Sequence, residues 1–164
     1  MAQVVILMAD YGGDPTETAV PYATFKKAGF VTRFATEAGK QPRCDERLME
    51  GPTQFFLGAS KATLEEYKSM ARSVEWQHPQ SWTAADFSLD GFDLVYIPGG
   101  HDKAVRQLLD SAALHKLLVD YFPQTKRPGS KAVGTICHGV LALSGARDGN
   151  GRSVLYESRA CKRR

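Results

Sequence analysis

Little in this sequence marks a special environment. Three cysteines, Cys44, Cys137 and Cys161, occur in 164 residues. An odd number at neither disulfide-framework nor metal-motif spacing reads as reduced thiols in a cytoplasmic setting. The opening QVVILMA lacks a charged lead-in and a small-residue cleavage site. Its apolar run is far short of the roughly 20 residues that cross a bilayer, so neither secretion nor membrane insertion is expected. Acidic and basic residues are interspersed to a net charge of +3, and the only dense basic stretch is the terminal SRACKRR. Without a basic stripe interleaved with aromatics, no nucleic-acid partner is expected. Internal repeats are absent, and 43% hydrophobic content excludes a disordered chain. What remains is a single domain, residues 1–164, of ordinary globular composition.

The chain alternates short β-branched runs with longer amphipathic ones, the pattern of a βαβ protein. Residues 4–9 (VVILMA), 31–36 (VTRFAT), 93–98 (DLVYIP), 131–136 (KAVGTI) and 153–156 (SVLY) read as strands. Residues 15–28 and 108–122 read as helices, and HGVLALSGA as a short helix ending near Gly145. The connection from Thr36 to Phe92 is too long for a plain loop and is expected to carry a helical insertion around 40–90. Within it Leu64, Tyr67, Met70 and Val74 form a packing stripe at helical spacing. Trp76, His78 and Trp82 read as a satellite core cluster in preference to an aromatic lid. Parallel strands with helical crossovers imply an α/β fold: a three-layer α/β/α sandwich with a mostly parallel, doubly wound sheet of the flavodoxin-like kind.

In such sheets ligands collect beyond the carboxyl ends of the strands, which directs attention to the residues after 9, 98 and 136. After the strand at 131–136 come Cys137, His138 and Gly139. A cysteine is commonly a small buried hydrophobe. On a tight strand-to-helix turn it is instead an exposed nucleophile, near a helix dipole that favours thiolate, with the His138 N–H aimed into the same space. After 93–98 come Gly99, Gly100, His101 and Asp102. The two glycines suit oxyanion donors and equally suit an ordinary turn capped by Asp102. After the first strand, Asp14, Pro15 and Glu17 make a capping-box variant, and spacing alone favours the cap over catalysis for Glu17.

Three segments together resemble the ThiJ/PfpI superfamily, proteins with a class I glutamine amidotransferase-like fold: TETAVPYATFKKAGF, DLVYIPGGHDKAVRQLL and AVGTICHGVLALS. The stretch FATEAGKQPRCDERL is similar to the fungal heat-shock branch, whose members are glutathione-independent glyoxalases and holdase chaperones. By position the resemblance implies Cys137 as nucleophile, His138 as its histidine, Glu17 as the acid and Gly100 as the oxyanion glycine, with the Gly100 and His138 N–H groups holding the developing charge; Gly99 joins the oxyanion-binding set from the reading of the paired glycines. It further implies an α-oxoaldehyde substrate, methylglyoxal converted to lactate, with no metal or organic cofactor. It leaves a homodimer open.

Two departures stand out. VLALS follows Cys137 where many relatives have a Pro-containing turn. The chain also stops soon after SVLY, so the domain is expected to be C-terminally incomplete, with only Asp148 and Glu157 nearby to orient His138. Alternatives to the glyoxalase-type lyase are a stress-response holdase, a cysteine peptidase or amidase, and a catalytically inactive truncated form. Cys44 and Cys161 read as structural or incidental.

Overall fold

A computed structural model of the protein describes residues 1–51 and 58–156. A parallel sheet of five strands lies at its centre in the order β5-β3-β1-β6-β7: β1 is Gln3–Leu7, β3 Val31–Thr36, β5 Gln80–Ser81, β6 Leu94–Ile97 and β7 Ala132–Thr135. β2 (Tyr11–Gly13) and β4 (Arg43–Cys44) form a separate parallel pair. The helices are α1 (Pro15–Lys27), α2 (Lys61–Ala71), α3 (Val74–Gln77), α4 (Arg106–Leu109), α5 (Ala112–Tyr121) and α6 (Val140–Gly145). No helix among the described residues is long and apolar enough to cross a membrane.

β1 is central and apolar on both faces because helices cover both. Val4, Ile6 and Met8 join Phe34, Tyr96, Met70 and Trp76 in one hydrophobic cluster with α1. Val5, Leu7 and Ala9 join Val95, Ile97, Leu108, Leu114, Leu118 and Leu143 in the other. The expected three-layer α/β architecture is thus the observed one. Trp76 and Trp82 are 1% and 2% exposed, core residues of the two opposite clusters. Trp76 meets Phe34 edge-on at 4.9 Å and Tyr67 at 5.8 Å. Trp76→Ala is expected to cost about 3–5 kcal/mol of unfolding free energy. Urea denaturation measures it, and a loss below about 1 kcal/mol would mean the ring is not a core anchor.

The structure departs from the expected elements at four places. Residues 153–156 are not a strand: Ser153 makes one antiparallel bridge to Arg147, and a turn follows. Ser153 Oγ donates to the Leu143 carbonyl at 3.0 Å and accepts from the Leu155 N–H at 3.2 Å, a local bonding pattern that competes with strand pairing. The fifth strand is Gln80–Ser81, which continues the sheet beyond β3. The expected helix at 108–122 is two helices, because Ser111 caps α5 by accepting from the Leu114 N–H. α2 ends at Ala71, so Val74 leaves the stripe and is 71% exposed, while Thr63 is buried in addition to Met70. The terminal basic stretch, Glu157 and Cys161 lie outside the described residues.

Candidate active site

Three strand ends meet where the doubly wound topology places them. The loop after β1 leads into α1 and Glu17, the loop after β6 carries Gly99 to Asp102, and the turn after β7 carries Cys137 and His138. Asp14 caps α1, its carboxylate accepting from the Thr16 and Glu17 N–H groups at 2.7 and 3.0 Å. Glu17 does not complete a capping box. The Asp14 N–H donates to the Gly99 carbonyl at 3.0 Å, and Glu17 Oε2 accepts from the Gly99 N–H at 2.8 Å. One glycine therefore grips the N-terminus of α1 with its carbonyl and the Glu17 carboxyl with its N–H. Tyr96 donates to the Glu17 carbonyl at 2.9 Å, fixing the backbone behind the carboxyl group.

This corrects one assignment. Gly99 was expected to face an oxyanion, but its N–H is engaged by Glu17. The N–H groups directed at the Cys137 sulfur are those of Gly100 and His138. Gly99 is nevertheless required as glycine: a Cβ there would lie 2.7 Å from His138 N and 2.9 Å from Cys137 Cβ. The close approach of the β6 and β7 loops, and so the site itself, depends on that missing methyl.

Cys137 is exposed and has φ +53°, the only positive φ at a non-glycine among the described residues. Such a conformation costs about 1–3 kcal/mol and collects at functional turns. Its Sγ lies 3.3 Å from His138 Nδ1, and the Glu17 carboxyl is near enough to act on the thiol. Although the residue is exposed, partial desolvation of the sulfur by the surrounding loops raises the Cys137 thiol above its ordinary range. The Glu17 carboxyl adds to the rise, against the N–H groups of His138 and Gly100. The direction of this shift opposes the thiolate that a helix dipole would favour. Cys137 opens a single 3-10 turn, Cys137–Gly139, before a six-residue helix, and desolvation of the sulfur, followed by the neighbouring carboxylate, outweighs so short a dipole.

Glu17 is pushed up as well, chiefly by burial, then by Asp14, against the Gly99 N–H, the thiol and His101. Both groups are raised and each acts on the other, so their titrations are coupled.

Among the described residues no carboxylate hydrogen-bonds the His138 ring. Asp148, one of the two expected candidates, accepts from the Asn150 and Arg152 N–H groups at 2.9 Å each, in a surface turn. The ring near His138 is His101, 5.1 Å away and nearly perpendicular. The residue types gave His101 no role, because nothing in the spacing places its loop against the β7 turn. A second unforeseen feature holds that loop. Arg47 bridges Asp45 at 2.9 Å and Asp102 at 2.6 Å, and Asp102 caps the turn by accepting from the Ala104 N–H. Cys44 is fully buried, and burial pushes its thiol far up, as befits a structural cysteine.

The family model described as ThiJ/PfpI family-like matches residues 8–154, and the chain belongs to this family. Uncharacterized protein C14C4.04 of Schizosaccharomyces pombe is 36% identical over 145 residues, covering 88% of this chain and 54% of the relative. Glyoxalase III from Candida albicans superposes with a TM-score of 0.66 at 18% identity, covering 94% of this chain and 64% of that one. Schizosaccharomyces pombe DJ-1 does so with 0.54 at 19% identity, covering 88% and 63%. At such identities these two share the fold. The chain spans about half the length of the curated relatives it matches.

Proposed function

We propose that the site is that of a glutathione-independent, glyoxalase-type lyase that converts methylglyoxal to lactate. The observation that carries this reading is the convergence on one sulfur of a carboxyl (Glu17), an imidazole (His138) and two backbone N–H groups (Gly100 and His138). The Candida glyoxalase III shares the fold that builds it.

In this mechanism Cys137 sulfur adds to the aldehyde carbon while His138 Nδ1 takes the thiol proton. The new alkoxide is held by the Gly100 and His138 N–H groups and is then protonated. Glu17, as carboxylate, removes the hydrogen on the former aldehyde carbon, giving an enediolate on the sulfur, and returns the proton to the neighbouring carbon. The product is a thioester of lactate. Water cleaves it, releasing lactate and restoring the thiol, so the net reaction is methylglyoxal plus water to lactate, with no oxidant and no thiol co-substrate. Glu17 serves as base when ionised and as acid once it has taken the substrate proton, so one carboxyl covers both transfers.

The purified chain, given methylglyoxal without glutathione, should form lactate, detected enzymatically or by NMR. Formation no faster than in buffer, with the chain folded by circular dichroism, would remove the proposal.

A further inference from the structure

We propose that His101, Cys137 and His138 form a binding site for a borderline-soft divalent cation of the zinc type, and that the bound cation holds the thiol out of reaction. One ligand atom from each residue lies within 4.8 Å of the other two. A tetrahedral zinc with bonds of about 2.3 Å to sulfur and about 2.0 Å to nitrogen sets those ligands about 3.5 Å apart. Cys137 Sγ and His138 Nδ1 are already 3.3 Å apart. The His101 ring stands 5.1 Å from that of His138, and its side chain is exposed and free to change rotamer toward the other two ligands.

The donor set defines the metal. One thiolate and two imidazoles suit zinc and its neighbours and discriminate against magnesium and calcium, which take oxygen ligands. Three protein ligands on an exposed face leave the fourth position to water, the arrangement of an open zinc site. Binding breaks the Cys137 S–H bond and forms a sulfur–metal bond. The proton passes to the adjacent Glu17 carboxylate or to solvent, and nothing is oxidised or reduced. The sulfur lone pair that would attack an aldehyde then belongs to the metal, so the cation acts as a reversible block. That last step rests on the lyase reading, whereas the binding itself does not. No sequence spacing reveals the site: His101 comes from the loop after β6, and only the parallel β6–β7 pairing brings it to the β7 turn.

The test is a titration of the untagged chain, residues 1–164, with Co²⁺ and with Zn²⁺. Co²⁺ should give a thiolate-to-metal charge-transfer band saturating at a single equivalent, and Zn²⁺ should displace it. Mg²⁺ should not. The band should vanish in Cys137→Ser. In His101→Ala, zinc affinity measured against a chromophoric chelator should fall by at least about 10–100-fold, the range reported for loss of mere supporting contacts. A missing charge-transfer band, or equal zinc affinity in His101→Ala and the unmodified chain, would overturn the site.

Where lactate formation is measurable, saturating zinc should abolish it and a chelator restore it. Full turnover with zinc bound would overturn the blocking role. Tight, His101-dependent zinc binding by a chain that makes no lactate would retain the site and discard the lyase.

Discussion

Cys137→Ala should bring glutathione-independent lactate formation down to the buffer rate, a fall on the order of ten-thousandfold or more, since loss of a nucleophile removes every later step with it. No other described thiol can substitute, because Cys44 is fully buried. The loss will not come from unfolding. The Cys137 side chain is exposed, and alanine meets the same strain at φ +53° that cysteine already bears. The melting temperature of Cys137→Ala should therefore stay close to that of the unmodified chain. Cys137→Ser keeps shape and hydrogen-bonding capacity while removing a polarisable nucleophile, so it too should be inactive. An alanine variant with undiminished turnover would show that the sulfur does not attack the substrate.

The central strands were legible because burial on both faces writes itself as continuous β-branched runs. VVILMA and VTRFAT fall on β1 and β3 within two residues at each end. β5 was not legible, since two residues after a proline carry no periodicity, and their pairing with Ala35 and Thr36 is set by the sheet rather than by their own side chains. SVLY misled for the opposite reason. Its apolar residues do pack on the core, but they reach it from a turn pinned to α6. Where serine or aspartate can bond its own backbone, that local bond outcompetes a strand or a longer helix, as at Ser153 and at Ser111.

The location of the candidate site follows from topology, since the strand-end rule points to all three loops that the structure brings together. Which atoms face the sulfur does not follow from topology or residue type alone: the turn position points to the His138 N–H, and only the family resemblance singles out Gly100. Gly99 and Gly100 are equivalent as letters, yet the first holds the carboxyl and the second turns its N–H to Cys137. The protonation of the thiol also escaped the sequence, because it depends on burial and on a carboxyl group contributed from more than a hundred residues upstream. His101 escaped because its partners are set by loop packing alone.

Glu17→Gln should separate thiol reactivity from catalysis. Turnover should fall by about 10²–10⁴-fold, the usual contribution of a positioned general base, because glutamine cannot move a proton between the two substrate carbons. The thiol should meanwhile become more reactive. After desolvation, the Glu17 charge is what holds the Cys137 thiol up. With a neutral amide in place, the rate of alkylation by iodoacetamide should reach its plateau at lower pH than in the unmodified chain. A purely structural role for Glu17 would shift neither profile in this opposed way.

Stability should follow the same electrostatics. Glu17 is raised from 4.5 in the folded chain, so the folded state binds its proton more tightly than the unfolded one does. The stability this brings is fully present below the ordinary carboxyl range and is lost as pH rises through the folded-state value. Glutamine keeps an oxygen to accept the Gly99 N–H and has no proton to lose. Relative to Glu17→Gln, the unmodified chain should lose melting temperature as pH is raised from about 4, then level off once the carboxyl is ionised. A difference that is flat across that range would show that the carboxyl is not raised in the folded chain.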